Sequence, residues 1–408
     1  MRIHRRMTVA ASAAAVVVIL SGCVPNTEAS AAAVTVRSTD DTCDVSSKSA
    51  ASGNVTFKVA NDGTQVTEFY LLADDGLRIV GEVENIAPGA SRTLTVVAQP
   101  GDYFTLCKPG MIGEGVGRAG FAVQGEKVAI SGDDAEVKQE AVGLYAAFVK
   151  DQVEQLVPGV EELTAAYVAN DDDTARALFP TVRAYYERIE PVAEALGDLD
   201  PRIDYRELDA VAEGLEWTGF HRIEKDLWVP ASDALNSDDE TPAWQDWKPS
   251  TREERQQWAD RLQADVAELN DYVHGEEFQT ALDDQGIAGI SNGAIALLDE
   301  VATGKITGEE DWWSGTDLWD FAANVEGSKM AYSLVSDFAA STGTEGEQII
   351  ARIDEGYAAL EGKLAQYGSL TNGFVTYSDL TDDDRRAFTD LINALAEPLS
   401  RLTVVVLT

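Results

Sequence analysis

The chain has 408 residues, enough for two or three domains with their own cores. Hydrophobic residues make up 45%, a globular proportion that excludes a largely disordered chain. With 31 Lys and Arg against 71 Asp and Glu, the formal net charge of −40 repels phosphate backbones and argues against a nucleic-acid partner.

The N-terminus addresses the compartment. Arg2, Arg5 and Arg6 precede an apolar run over residues 9–20, and Leu20-Ser21-Gly22-Cys23 reads as a bacterial lipobox. Residues 1–22 are predicted to be a lipoprotein signal peptide, and Cys23 the lipid-modified first residue of the mature chain. Residues 23–33 would be a tether on the extracytoplasmic face of the cell membrane. The apolar run is too short for a comfortable transmembrane span.

From residue 34 to 126 the pattern is one of short strands, over 54–60, 66–72, 78–83, 92–97 and 103–106. Asn61-Asp62-Gly63, Asp74-Asp75-Gly76, Pro88-Gly89 and Pro100-Gly101 supply the turns. This spacing predicts an all-β Greek-key sandwich. Cys43 and Cys107 stand near its two ends. In an exported chain an even pair forms a disulfide or, alternatively, ligates a metal. A blue-copper centre of the His₂Cys type is excluded, because the module contains no histidine.

Residues 127–137 form the predicted linker. Beyond it the apolar period changes from two to 3.6, with helices predicted over 138–156, 161–170, 174–196, 205–229, 252–273, 291–303, 316–341, 345–367 and 382–402. Thr251 with Glu254 and Thr381 with Asp384 mark two starts as capping boxes. Residues 138–408 are therefore expected to form a large all-α domain, either one bundle or two stacked four-helix bundles.

Three patches there place acids among aromatics. In Gly219-Phe220-His221-Arg222-Ile223-Glu224, the imidazole and carboxylate lie three residues apart on one helix face and can converge on one ion. Tyr186-Glu187-Arg188-Ile189-Glu190 sets two acids one turn apart. Asp317-Leu318-Trp319-Asp320 does the same, with Glu326 nearly two turns on. Inward carboxylates from several helices are how bundles build iron and manganese sites. The competing expectation is that these acids are solvated or pair with Arg183, Arg188 and Arg222.

Taken together, the blocks His221 to Trp228, Tyr186 to Pro191 and Trp319 to Gly327 resemble the EfeO family of iron-uptake components. So does the stretch Glu84-Asn85-Ile86-Ala87-Pro88-Gly89 with Pro100-Gly101-Asp102-Tyr103 in the β-module. The resemblance implies a cupredoxin-like N-terminal domain and an imelysin-like, peptidase M75-type helical domain. It further implies iron as cargo, a membrane iron permease and a haem-dependent peroxidase as partners, and a second metal site, for copper or zinc, formed by Cys43, Glu68, Asp102 and Cys107. Gly315 stands where the family often has a histidine.

The expected function is extracytoplasmic iron capture at His221 and Glu224, with Glu187 and Asp320 as the next ligand candidates and Glu190, Asp317 and Glu326 behind them. One nitrogen among oxygens suits iron before copper, though Zn²⁺ or Mn²⁺ also fits. The rival is a zinc metallopeptidase recruiting His274. Position 225 is Lys, however, so neither a His-Glu-x-x-His motif nor its inverse is present, and a binding component rather than an enzyme is favoured.

Overall fold

The computed structural model describes residues 33–129, 134–237 and 240–407. The lipobox, Cys23 and nearly all of the tether lie outside the described residues. Two sheets make the N-terminal module. One has the order β2-β1-β4-β7, from β1 (Val34–Ser38), β2 (Cys43–Val45), β4 (Gly53–Asn61) and β7 (Ser91–Ala98). The other has the order β3-β9-β8-β5-β6, from β3 (Ser49–Ala51), β5 (Thr67–Leu72), β6 (Ile79–Ile86), β8 (Gly101–Pro109) and β9 (Val116–Gln124). Alternating residues such as Val55, Phe57, Val59, Phe69, Leu71 and Phe121 fill the space between the sheets.

The helical part runs α1 (Ala135–Val168), α2 (Asp172–Glu187), α3 (Glu190–Glu194), α4 (Leu199–Ile203), α5 (Glu207–Glu213) and α6 (Gly219–Leu227). It continues with α7 (Arg252–Val273), α8 (Glu276–Glu300), α9 (Asp317–Ser341), α10 (Thr344–Leu364), α11 (Asp382–Leu399) and α12 (Leu402–Val406). Helix α1 packs on α2 and α7, while α8, α9, α10 and α11 pack in sequence. The two groups meet where α1 lies on α8 and α2 on α9. Among the described residues no helix is long and apolar enough to cross a membrane. The apolar C-terminal run folds inward as α12, burying Leu402, Val405 and Val406 in the helical core.

Five helix predictions needed revision, among them 291–303, which is the second half of α8 and runs on into a π-helical turn. The first two expected helices are one, because Pro158 is accommodated inside α1. The expected 174–196 helix stops at Glu187, and α3 starts afresh at Glu190. The expected 205–229 helix breaks into α5 and α6, since Gly214 closes α5 in the left-handed conformation (φ 70°). The break sets the position of His221. Gly219 opens α6 with φ 81°, and a Cβ there would stand 2.1 Å from the Ile203 carbonyl oxygen. Only glycine lets the start of α6 lie against the end of α4, two residues before His221 and one before Asp204.

The two modules are joined by polar contacts along α8, which packs on β6 and β7. Arg92 pairs with Asp299 at 2.8 Å, and Asn292 donates to the Thr95 carbonyl at 2.9 Å. Between the modules lies a cavity of about 500 Å³, with Glu68 and Glu84 on the β side and Glu190, Asp204 and Glu310 on the helical side.

Candidate metal centre

Helix α6 is buried from Gly219 to Leu227 although five of its nine residues are His221, Arg222, Glu224, Lys225 and Asp226. Burial of charge demands partners, and each has them. Arg222 pairs with Asp226 at 3.0 Å, and Asp226 accepts from Tyr167 at 2.5 Å and from the Ser250 backbone N–H at 3.0 Å. Lys225 pairs with Glu207 and lies over the rings of Trp217, Trp247 and Trp313.

His221 is the hub. Its Nδ1 is 3.0 Å from Glu224 Oε2 and 3.9 Å from Asp311; its Nε2 is 3.3 Å from Glu310 Oε1 and 3.6 Å from Asp204 Oδ1. The other oxygen of Glu224 accepts two backbone N–H groups, from Trp313 at 3.0 Å and Ser314 at 2.7 Å. Glu224 is thus saturated, one oxygen held by the backbone and the other by the ring.

Around this ring eight carboxyl groups are buried: Glu187, Glu190, Asp204, Glu224, Glu310, Asp311, Asp317 and Asp320. Arg183 and Lys305 are buried cations among them. Arg183 pairs with Asp204, lies 2.5 Å from Glu187 and stands 3.5 Å from Asp320. Asp317 and Asp320 occupy the first turn of α9, where the helix dipole favours negative charge. Gly327 lets α2 reach α9, because a Cβ there would lie 2.3 Å from the Arg188 carbonyl oxygen.

The electrostatics reflect the excess of acid. Burial raises Asp204 to about 7 despite Arg183 and His221, and burial likewise lifts Glu190, Asp317 and Asp320 well above the usual carboxylate range. Glu310 goes the other way: burial would raise it, but Lys305 and His221 hold it well below. For His221, burial and Arg183 oppose the charged ring, yet hydrogen bonds to Glu224 and Glu310 and the Asp204 charge hold its pKa up to about 10. Both ring nitrogens thus face carboxylate oxygens, an environment that favours the doubly protonated ring. Oδ2 of Asp204, Oδ1 of Asp311, Oδ2 of Asp317 and Oδ1 of Asp320 are buried with no hydrogen-bond partner, an arrangement a cation would relieve.

Three sets of ligand atoms lie within 4.8 Å of one another: Asp204 with His221 and Glu310, His221 with Glu224 and Asp311, and Glu187 with Glu190 and Asp204. Four of the seven residues singled out in the helical sequence, His221, Glu224, Glu187 and Glu190, fall in these sets, and Asp317 and Asp320 are buried beside them. Glu326 is not: it is exposed and pairs with Arg188 at 2.9 Å. Asp204, Glu310 and Asp311 were missed. The acidic-aromatic run Glu309-Glu310-Asp311-Trp312-Trp313 was the available signal for the last two. His274 ends α7, with Nδ1 2.9 Å from the Asn270 carbonyl oxygen and Nε2 3.3 Å from Glu154, and is not recruited as a peptidase reading requires.

The expected second metal site does not assemble. Cys43 and Cys107 are bonded to each other at 2.05 Å inside the sandwich core. Cys107 is opposite Phe69 in the strand register, so Glu68, one residue earlier, faces the other side of the sheet. There it accepts from Tyr70 and lines the intermodule cavity, with burial raising its pKa to about 7. Asp102 is exposed near the start of β8, where its register partner is Ala122.

Comparison with known proteins agrees with this architecture. The Imelysin family model matches residues 141–402 and the Cupredoxin-like domain model residues 12–116. The chain is 35% identical over 373 residues, 90% of each chain, to the protein named iron uptake system component EfeO in Escherichia coli O157:H7, and equally to its namesakes in Escherichia coli K12 and Shigella flexneri. The chain belongs to the imelysin family and, within it, to the EfeO-type proteins that join a cupredoxin-like module to an imelysin domain.

Proposed function

We propose that this chain is the iron-capturing component of an uptake system outside the cytoplasmic membrane, tethered there through Cys23. It would pass its cargo to a membrane permease and act beside a haem-dependent peroxidase. The observation that carries the reading is the convergence on the buried Nε2 of His221 of Asp204 and Glu310, which line the intermodule cavity, with an Asp204 oxygen left unpartnered. Glu224 holds Nδ1, fixes the ring and leaves Nε2 to the ion, as the carboxylate does in carboxylate–histidine–metal arrangements. Asp311, Asp317 and Asp320 are further buried acids behind the seat. One nitrogen and several hard oxygens suit Fe²⁺ or Fe³⁺, with Mn²⁺ and Zn²⁺ as competitors.

The test is metal uptake by the purified chain and by Asp204→Asn, Glu310→Gln and His221→Ala. Near-stoichiometric iron should be lost from each variant while the far-UV spectrum is retained. Iron content unchanged in all three would remove the reading.

A further inference from the structure

One buried cation in the centre touches the His221 seat only at Glu310 and stands closer to other acids. Lys305 closes a π-helical turn (Val301–Lys305) after α8 and is wholly buried. Its Nζ stands 3.5 Å from Glu187, 3.4 Å from Glu190, 3.4 Å from Glu300 and 3.9 Å from Glu310. These separations are those of a cation shared among several acids rather than bound tightly by one.

Glu187, Glu190 and Asp204 each offer an oxygen within 4.8 Å of the others, the spacing a metal ion requires. Asn324 donates to Glu187 at 3.1 Å and to Glu190 at 3.4 Å, which fixes both carboxylates in place. Asp204 is buried, and its Oδ2 has no partner. Arg183 holds the Glu187 and Asp204 side of this set and the Lys305 ammonium the Glu187 and Glu190 side, so the set is a cation seat whose positive charge the chain itself supplies.

We propose that the buried centre contains two adjacent cation seats and that Lys305 fills the second, limiting the protein to one metal ion per chain. Resting on the capture reading, this makes Lys305 a residue that sets capacity rather than a ligand. The ammonium cannot leave the second seat cheaply, because a buried charge without its carboxylates has no compensation. An incoming divalent ion is therefore directed to Asp204, His221 and Glu310. The second seat offers only carboxylate oxygens, so once vacated it selects hard divalent ions such as Mn²⁺.

The experiment counts Mn²⁺ bound per chain by calorimetry and by metal analysis after gel filtration, in the wild type, Lys305→Met, Lys305→Gln and Lys305→Met/Glu190→Gln. All are purified and refolded in Mn²⁺, so that a second ion can take over the lost charge. The expected counts are one for the wild type, two for either single variant and one again for the double variant. One ion in both single variants, or two in the wild type, overturns the proposal. The underlying reading fails separately: a wild type that binds none, with Lys305 variants that bind one, sinks the His221 seat and keeps the second. None anywhere sinks both. Should neither single variant fold even in Mn²⁺, no ion has replaced the ammonium, and that also counts against the proposal.

Discussion

Raising the pH from 6 to 8 should tighten metal binding by about a thousandfold. The groups facing His221 are Glu224 from its own helix, Asp204 from the end of α4, Glu310 and Asp311 from the segment after the π-turn, and Arg183 from α2. Together they hold the ring at about 10 and Asp204 at about 7. An ion on Nε2 and Asp204 must expel the proton from each. Below pH 7 two protons leave, so affinity rises up to roughly 100-fold per pH unit; between 7 and 10 one leaves, giving roughly tenfold per unit. Over pH 6 to 8 this sums to about 4 kcal/mol. A solvent-exposed His and Asp with ordinary pKa values would give only about a fourfold change. Calorimetry with Mn²⁺, which resists oxidation, in two buffers of different ionisation heat counts the protons directly. Less than a tenfold change across that range, with no proton release, would refute the electrostatic picture.

The same geometry carries further outcomes. Glu224→Gln keeps the ring's neighbour but weakens its hold, so affinity should fall roughly 10–100-fold with the metal count at saturation unchanged; complete loss of binding would instead make Glu224 a ligand. Asp204 and His221 are both raised, so their contribution to the stability of the metal-free fold is full at acidic pH and is lost as pH climbs, through about 4 to 7 for Asp204 and about 6.5 to 10 for His221. Thermal melts should show the metal-induced rise in Tm growing over that span, and a constant increment would contradict it. Gly219→Ala places a Cβ against the Ile203 carbonyl and should lower both Tm and metal affinity, whereas the same change at exposed Gly362 should do neither. Cys43→Ala with Cys107→Ala opens a link between residues 64 apart. It should cost the β-module roughly 4 kcal/mol in denaturant unfolding and leave the metal count untouched; loss of a bound metal would revive the thiolate site.

Much of the centre was visible in the sequence because helices advertise themselves. Glu187, Glu190, His221, Glu224, Asp317 and Asp320 sit at helical spacing beside aromatics, and periodicity identifies the face that turns inward. Asp204, Glu310 and Asp311 stand at a helix end and in a connecting segment, where no period marks burial. Counter-ions are equally silent: Arg183 was foreseen only as a competing partner, and Lys305 not at all, because spacing does not say which cation shares a cavity. The competing expectation of arginine pairing holds at Glu326 with Arg188 and also at Glu187 and Asp320 with Arg183, but only Glu326 is exposed. In the sandwich, alternation found β4 to β8, but β1 to β3 are short and pair in part through parallel contacts with distant strands, which local patterns do not carry. The sequence left Cys43 and Cys107 open between a disulfide and a metal site; the strand register, which puts Glu68 and Cys107 on opposite faces, is not legible locally.

The most direct test is anomalous diffraction at the iron absorption edge from crystals grown anaerobically with ferrous iron. One strong peak within bonding distance of His221 Nε2 and of oxygens from Asp204 and Glu310 is the predicted result. A peak at Glu224 and Nδ1, at the Cys43–Cys107 pair, or nowhere in the helical domain would contradict the account.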